Sequence, residues 1–143
     1  MAKINSRAKG ASAEREFAGV VYDWSGIKLI RNLEQVRSGG FDLIVDPDEQ
    51  GEVAQSYRGL AIECKRYNTV TDGLIKTWWK QARSQAEACS LVPVLAYRGN
   101  RQEWKVCVPM YLANDSLSRN HGLDSCITLS AIGFCSVVNE ARA

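Results

Sequence analysis

Leu60-Ala61-Ile62-Glu63-Cys64-Lys65 decides the reading of this chain. It is a run of strand length in which side chains alternate between faces. Leu60, Ile62 and Cys64 share one face and can enter a core; Glu63 and Lys65 share the other. An acid and a base carried together on a buried strand are costly unless they are paired or bind something. Two readings are open from the strand alone: an i, i+2 ion pair with no ligand, or half of a reactive site.

Toward the N-terminus, Phe41 to Asp46 reads as a neighbouring strand. It follows a Ser38-Gly39-Gly40 turn and carries Asp42 between Phe41 and Leu43. Two carboxylates on adjacent strands form a hard oxygen site suited to Mg²⁺ or Mn²⁺. Lys65 beside such an ion could orient an attacking water or stabilise charge on the transition state. Pro47 to Gly51 is a turn on chemical grounds. Ile27 to Arg31 is a short strand, and the first helix spans Ser12 to Trp24. Ser12 is its expected N-cap and Gly26 its stop. Phe17, Val20, Val21 and Trp24 fall at i, i+3, i+4 and i+7, a single apolar face. Glu14 extends that face, so it looks toward the sheet; the helix dipole also favours an acid in this first turn.

Toward the C-terminus, a helix over Asp72 to Cys89 buries Leu74, Ile75, Trp78, Trp79, Ala82, Ala86 and Cys89. Lys76, Lys80 and Arg83 form a basic stripe at i, i+4 and i+7, suited to phosphates. Lys9, Arg15, Arg31 and Arg37 are further candidates for phosphate contacts. Val92 to Arg98 and Glu103 to Val108 are strands joined through Gly99-Asn100-Arg101-Gln102. Cys126 to Leu129 reads as an edge strand, and Ser130 caps a last helix carrying Ile132, Cys135 and Val138. The order α-β-β-β-α-β-β-α implies an α/β fold, a central mixed sheet flanked by helices. Nothing divides the chain, so residues 1–143 are read as one domain. The apolar tail residues Ile127, Leu129, Ile132, Phe134, Val137 and Val138 are expected to offer a dimer surface.

Composition narrows the class. No stretch approaches the roughly 18 apolar residues of a membrane helix, and the charged N-terminus is followed by no apolar segment of a secretory signal. The five cysteines are odd in number and lack a CxxC pair, which argues against a disulfide framework or a zinc site and for a reducing cytoplasm. His121, the one histidine, cannot build a His-based site alone and is read as a loop residue. Residues 41–56 carry five acids and no base, whereas 57–105 carry nine bases against four acids. Positive flanks around an acidic insert could bind a polyanion while the insert points away.

Asp42 followed by Glu63-Cys64-Lys65 resembles the D…(D/E)xK signature of the PD-(D/E)xK nuclease superfamily. The wider blocks Lys9 to Phe17, Arg31 with Ser38 to Ile44, Ala61 to Lys65, and Val92 to Arg98 with Trp104 to Val106 resemble archaeal-type Holliday-junction resolvases. Trp78-Trp79-Lys80-Gln81-Ala82 is similar to a helix of small phage-encoded endonucleases of the same superfamily, which points to a phage source. The resemblance implies a restriction-endonuclease-like fold. It implies Asp42 and Glu63 as metal ligands with the Cys64 backbone carbonyl, and Lys65 as the catalytic lysine. Glu14 would complete the acidic cluster through water or a second metal, Arg15 and Arg31 would meet phosphates, and Ser38 and Gln81 are lesser candidates.

The implied activity is Mg²⁺-dependent hydrolysis of DNA, with Mn²⁺ able to substitute, leaving 5′-phosphate and 3′-hydroxyl ends. The expected substrate is branched DNA such as a four-way junction, cut by a homodimer in the cytoplasm (the host's, for a phage protein). The alternatives are a less selective duplex or flap nuclease of phage replication or packaging, a non-catalytic DNA-binding protein of the same fold, and an RNA-processing or restriction-type subunit. The interval between Asp42 and Glu63 is longer than in the resolvases, and the tail after Tyr111 has no counterpart in them.

Overall fold

In the computed structural model, which describes residues 6–33 and 40–140 with side chains from residue 10 onward, Leu60–Arg66 is a strand with a neighbour on each side. The elements are α1 (Ser6–Ser25), β1 (Leu29–Arg31), β2 (Leu43–Val45), α2 (Glu52–Arg58), β3 (Leu60–Arg66), α3 (Asp72–Ala88), β4 (Val92–Arg98), β5 (Lys105–Pro109), β6 (Cys126–Ser130) and α4 (Ala131–Glu140). The six strands form one sheet in chain order, β1 to β6. Every neighbouring pair is antiparallel except β3 and β4, which run parallel and are linked through α3. The expected α/β fold with a mixed sheet flanked by helices is what forms.

Alternation along the strands builds two cores. Leu60, Ile62 and Cys64 of β3 join Val94 and Ala96 of β4 beneath Phe17 and Val21 of α1, Tyr57 of α2, and Phe134 and Val138 of α4. On the opposite face Leu95, Tyr97 and Cys107 pack against Trp78 and Trp79 of α3. Glu63 and Lys65, in register with Leu95 and Tyr97, therefore leave the sheet on the α3 side.

Several sequence expectations need correction. The first helix starts at Ser6, so Ser12 is an interior residue and not its N-cap. Its apolar stripe rolls toward Ala13, Phe17 and Val21, leaving Trp24 54% exposed. Gly26 does end the helix, at φ 74°, where an L side chain is strained. Cys89 caps α3 from an exposed position instead of packing beneath it. The acidic insert is not all turn. Asp46 bonds the Asp48 N–H at 2.9 Å, Gly51 adopts φ 101°, and the seven residues of α2 follow, burying Ala54 and Tyr57.

The tail is not spare surface. β6 completes the sheet, Ser130 caps α4 by accepting the Gly133 N–H at 3.0 Å, and Phe134 is wholly buried. Tyr57 meets its ring edge-on at 6.1 Å, and Phe17 lies at 6.3 Å. Tyr57 also donates its hydroxyl to Asn139 at 2.9 Å, tying α2 to α4. Of the expected dimer surface, Ile132 is the residue left well exposed, at 48%. The five cysteines stand as free thiols. Among the described residues no helix is long and apolar enough to cross a membrane.

Phe134→Ala is expected to lower the free energy of unfolding by about 3–5 kcal/mol, as for a fully buried aromatic, whereas Ile132→Asp should change it by less than about 0.5 kcal/mol. Urea unfolding followed by circular dichroism measures both. A near-neutral Phe134→Ala would return the tail to the role of a surface.

Candidate active site

β2 pairs with β3 through Leu43 and Ile62. The regular ladder ends there, with the N–H of Asp42 donating to the Ile62 carbonyl at 2.9 Å as the last backbone bond between the two segments among the described residues. The next β3 N–H on that side, Cys64, would be left without a strand partner. The Asp42 side chain takes the place of the missing strand, accepting the Cys64 N–H through Oδ2 at 2.8 Å. In an extended strand the N–H and C=O of one residue point to the same side. The Cys64 carbonyl therefore opens into the same gap as the Asp42 carboxylate. The Asp42 segment is held from behind by Asn32, whose N–H bonds the Asp42 carbonyl at 2.7 Å and whose side-chain amide bonds the Phe41 carbonyl at 2.9 Å.

Asp42 and Glu63 are both buried, 7% and 3% exposed. Burial raises both carboxyls, Asp42 to about 6 and Glu63 to about 9. Glu63 is pushed further by the Asp42 charge and by the hydrogen bond the two groups share, while Lys65 pulls it back. At Asp42 the Cys64 N–H offsets part of the burial. Two carboxyls this close cannot both ionise cheaply. Lys65 Nζ lies 3.7 Å from Glu63 Oε1, which is the i, i+2 ion pair that the strand alone allows. That pair does not satisfy the site, because among the described residues the buried Glu63 Oε2 has no hydrogen-bond partner. Two buried carboxyls, a Glu63 oxygen with no partner among the described residues and a strand carbonyl opening onto them form a donor set that fits a hard divalent cation.

Glu14 stands back from this pair. Among the described residues, no three Asp, Glu, His or Cys side chains come together closely enough to hold an ion by themselves. Glu14 accepts Arg31 Nε at 2.6 Å, yet its charge raises both Asp42 and Glu63. Arg31 is thereby partly engaged. Arg15, next to Glu14, is exposed, as are Lys76, Lys80 and Arg83 on α3. Arg83 is tied to Glu87 at 3.0 Å, whereas Lys76 and Lys80 have no ion pair among the described residues. Gln81 is an exposed residue of α3. Arg37 and Ser38, and the side chain of Lys9, lie outside the described residues.

Sequence reasoning missed three features around the site. Asn32 carries no pattern that would announce it. Glu16 reads as an ordinary solvated charge, but it accepts Trp104 Nε1 at 2.9 Å, Arg98 Nε at 2.5 Å and an Arg66 N–H at 3.2 Å. His121 is more than a loop residue: Nε2 meets the Tyr111 hydroxyl at 2.6 Å, Nδ1 meets Glu87 at 2.9 Å, and its carbonyl accepts Trp79 Nε1 at 2.8 Å. These bonds fasten the 111–125 segment onto α3.

Three comparisons with known proteins bear on this arrangement. The family model described as "Phage putative PDDEXK endonuclease" matches residues 5–129. No curated protein matches the chain. Among solved structures, the chain is similar to Archaeoglobus fulgidus Hjc, described as a Holliday junction resolvase from an archaeal hyperthermophile. The identity is 17%, over 85% of this chain and 84% of that one, with a TM-score of 0.45; a likeness so loose bears on neither substrate nor residue roles.

The raised carboxyls give a stability signature. Carboxyls whose folded pKa lies above the unfolded value oppose folding once ionised. The pair's contribution to the stability of the metal-free protein should therefore be greatest below the ordinary carboxyl values of 3.8 and 4.5 and be lost progressively as pH rises through about 6 and toward about 9, so stability should fall between pH 5 and pH 8. Asp42→Asn keeps an acceptor for Cys64 and removes the charge, so it should raise the metal-free Tm at pH 8 and flatten the pH profile. Thermal melts in a chelating buffer read this out; a wild-type Tm that climbs from pH 5 to 8 would contradict it.

Proposed function

The chain belongs to the phage PDDEXK endonuclease family, and from that premise we propose that it hydrolyses DNA phosphodiester bonds with a divalent cation, Mg²⁺ by preference and Mn²⁺ as a substitute. The observation that carries this reading is the buried Asp42–Glu63 pair with Glu63 Oε2 unpartnered and Lys65 alongside. Asp42, Glu63 and the Cys64 carbonyl would hold the ion. When bound, the ion supplies Lewis acidity toward the phosphodiester and its attacking water. Lys65 offers N–H donors on the same face of β3 as Glu63, where it orients the water and meets the negative charge that develops on phosphorus-bound oxygens. Glu14 adds negative charge at a distance and holds Arg31 at the rim. The Cys64 N–H fixes the rotamer of Asp42, so the ligand set is built before substrate arrives.

DNA reaches the site through charge. Arg15, Lys76 and Lys80 are exposed cations on α1 and α3, fitted to backbone phosphates and without a feature that reads bases. Branched DNA is the preferred substrate in this reading, supported by the sequence blocks shared with junction resolvases. Paired cuts in a two-fold symmetric junction are most simply made by a homodimer, acting in the cytoplasm, of the host if the source is a phage. The burial of Phe134 and Val138 in the protein's own core supports a second reading, a monomer that nicks duplex or flap DNA, because it removes two of the six residues expected to join two copies.

Cleavage of junction, flap, duplex and single-stranded DNA of matched sequence, with Mg²⁺, tests the first reading. Junctions should be cut symmetrically and fastest, and Glu63→Ala or Asp42→Asn should abolish cutting while retaining binding measured without metal. Cutting at the wild-type rate by Asp42→Asn would end the mechanism, and single nicks in flap or duplex DNA would select the second reading.

The binding surface has its own signature. Lys76→Ala and Lys80→Ala should each reduce the magnitude of the log–log salt slope of duplex binding by about 0.9. Arg83→Ala should reduce it less, since Glu87 already holds that guanidinium. An unchanged slope in the double lysine variant would place the DNA on another face.

A further inference from the structure

Residues 13 to 17 of α1 divide around the helix axis. Ala13 and Phe17 face the sheet, 2% and 0% exposed, and Arg15 faces solvent. At 100° per residue, Glu14 and Glu16 must leave the helix on opposite flanks of the buried line. Each flank is tied. Glu14 takes Arg31 of β1 on one side. Glu16 takes Arg98 of β4, Arg66 of β3 and the Trp104 indole on the other. Arg66 follows Lys65 directly and is in register with Arg98, so the second tie is fixed to the strand that carries Glu63 and Lys65.

The apolar face holds α1 to the sheet. Phe17 packs against Trp104 at 5.1 Å with rings tilted 53°, and the same indole donates to Glu16, so the polar flank and the buried face of α1 bear on one side chain. A roll of about 10° moves a side-chain tip by roughly 1 Å, and a displacement of that order in a catalytic group can cost about a hundredfold in rate. Three donors converge on the Glu16 carboxylate, and the Arg98 guanidinium lies over Trp104, 6.0 Å from its ring centre. A single exposed ion pair would contribute little; a carboxylate that closes a three-way junction of backbone-anchored groups restricts rotation.

We infer that Glu16 is a positioning residue of the nuclease site, setting the roll of α1 and through it the distance of Glu14 from the Asp42–Glu63 pair. This inference rests on the functional reading given above. It separates two neighbouring glutamates by role: Glu14 acts on the ion-holding pair through its charge, whereas Glu16 acts only through Glu14.

The test is a double-mutant cycle of Glu14→Ala and Glu16→Ala, read by calorimetric Mn²⁺ affinity and by Mg²⁺-dependent cleavage, both corrected for the folded fraction from circular dichroism. Glu16→Ala alone should weaken Mn²⁺ binding about tenfold or more, the usual cost of losing a residue that orients a metal site, and slow cleavage by a similar factor. In the Glu14→Ala background the same substitution should change either quantity by less than about twofold. If Glu16→Ala does not fold, Glu16→Gln, which keeps an acceptor for Trp104 and loses the charge that holds two guanidiniums, should give the same pattern at smaller amplitude. Equal losses in both backgrounds would overturn the positioning role while leaving the nuclease reading intact. A wild-type protein that neither binds Mn²⁺ nor cuts DNA would overturn the nuclease reading, and the inference with it.

Discussion

The hydrogen bond from the Cys64 N–H to the Asp42 carboxylate sits where the β2–β3 ladder runs out, and the site is organised around it. A buried backbone donor must find an acceptor, and the acceptor available is a charged side chain. That bond carries Asp42 into the interior beside Glu63 and leaves the Cys64 carbonyl open to the same gap. It also creates the problem the site must solve. Two carboxyls held together away from water repel, burial raises both, and among the described residues Glu63 Oε2 has no hydrogen-bond partner. A proton is a partial remedy. A divalent cation is a fuller one, and the pair is arranged as though for it.

The surrounding fold keeps that conflict from relaxing. β3 is covered by α1 and α4 on one face and by α3 on the other, so Glu63 cannot turn to water without disturbing a core. Asn32 braces the Asp42 segment from the β1 side. The cost of burying like charges is carried by two apolar cores and returned as a site whose ligands are preset, the common exchange of stability for function at reactive centres. Electrostatics and packing are coupled in α1, where the residues that face the sheet alternate with the two glutamates that grip its flanks.

The parts of this arrangement legible in the sequence are those with a period or a spacing. Strand alternation in Leu60 to Lys65 placed Glu63 and Lys65 together on one face, and the 3.6-residue repeat found α3 with its paired tryptophans. What failed was local. Apolar spacing could not say which flank of the α1 stripe would be deepest, so Trp24 was placed inside. The seven residues of α2 are too short for a periodic signal and are masked by the acids before them; the flanking glycines Gly51 and Gly59 and the Val53, Ala54, Tyr57 spacing were the available clue. The tail looked surplus because its partners, Phe17 and Tyr57, lie more than 70 residues away in the chain. Glu16 and Asn32 were invisible for a related reason: a polar residue acquires its role from partners that only the tertiary fold supplies.

The central claim is that Asp42, Glu63 and the Cys64 carbonyl converge on one divalent ion. A crystal structure grown with Mn²⁺ and measured near the manganese absorption edge tests this directly, because the anomalous signal locates the ion without reference to the protein density. The account predicts an anomalous peak within bonding distance of both carboxylates and the carbonyl, roughly 2.0–2.3 Å for a small hard cation, with Glu63 Oε2 turned toward it and Lys65 Nζ free of direct ligation. An ion bound elsewhere, or no anomalous peak between Asp42 and Glu63 at saturating Mn²⁺, would contradict it.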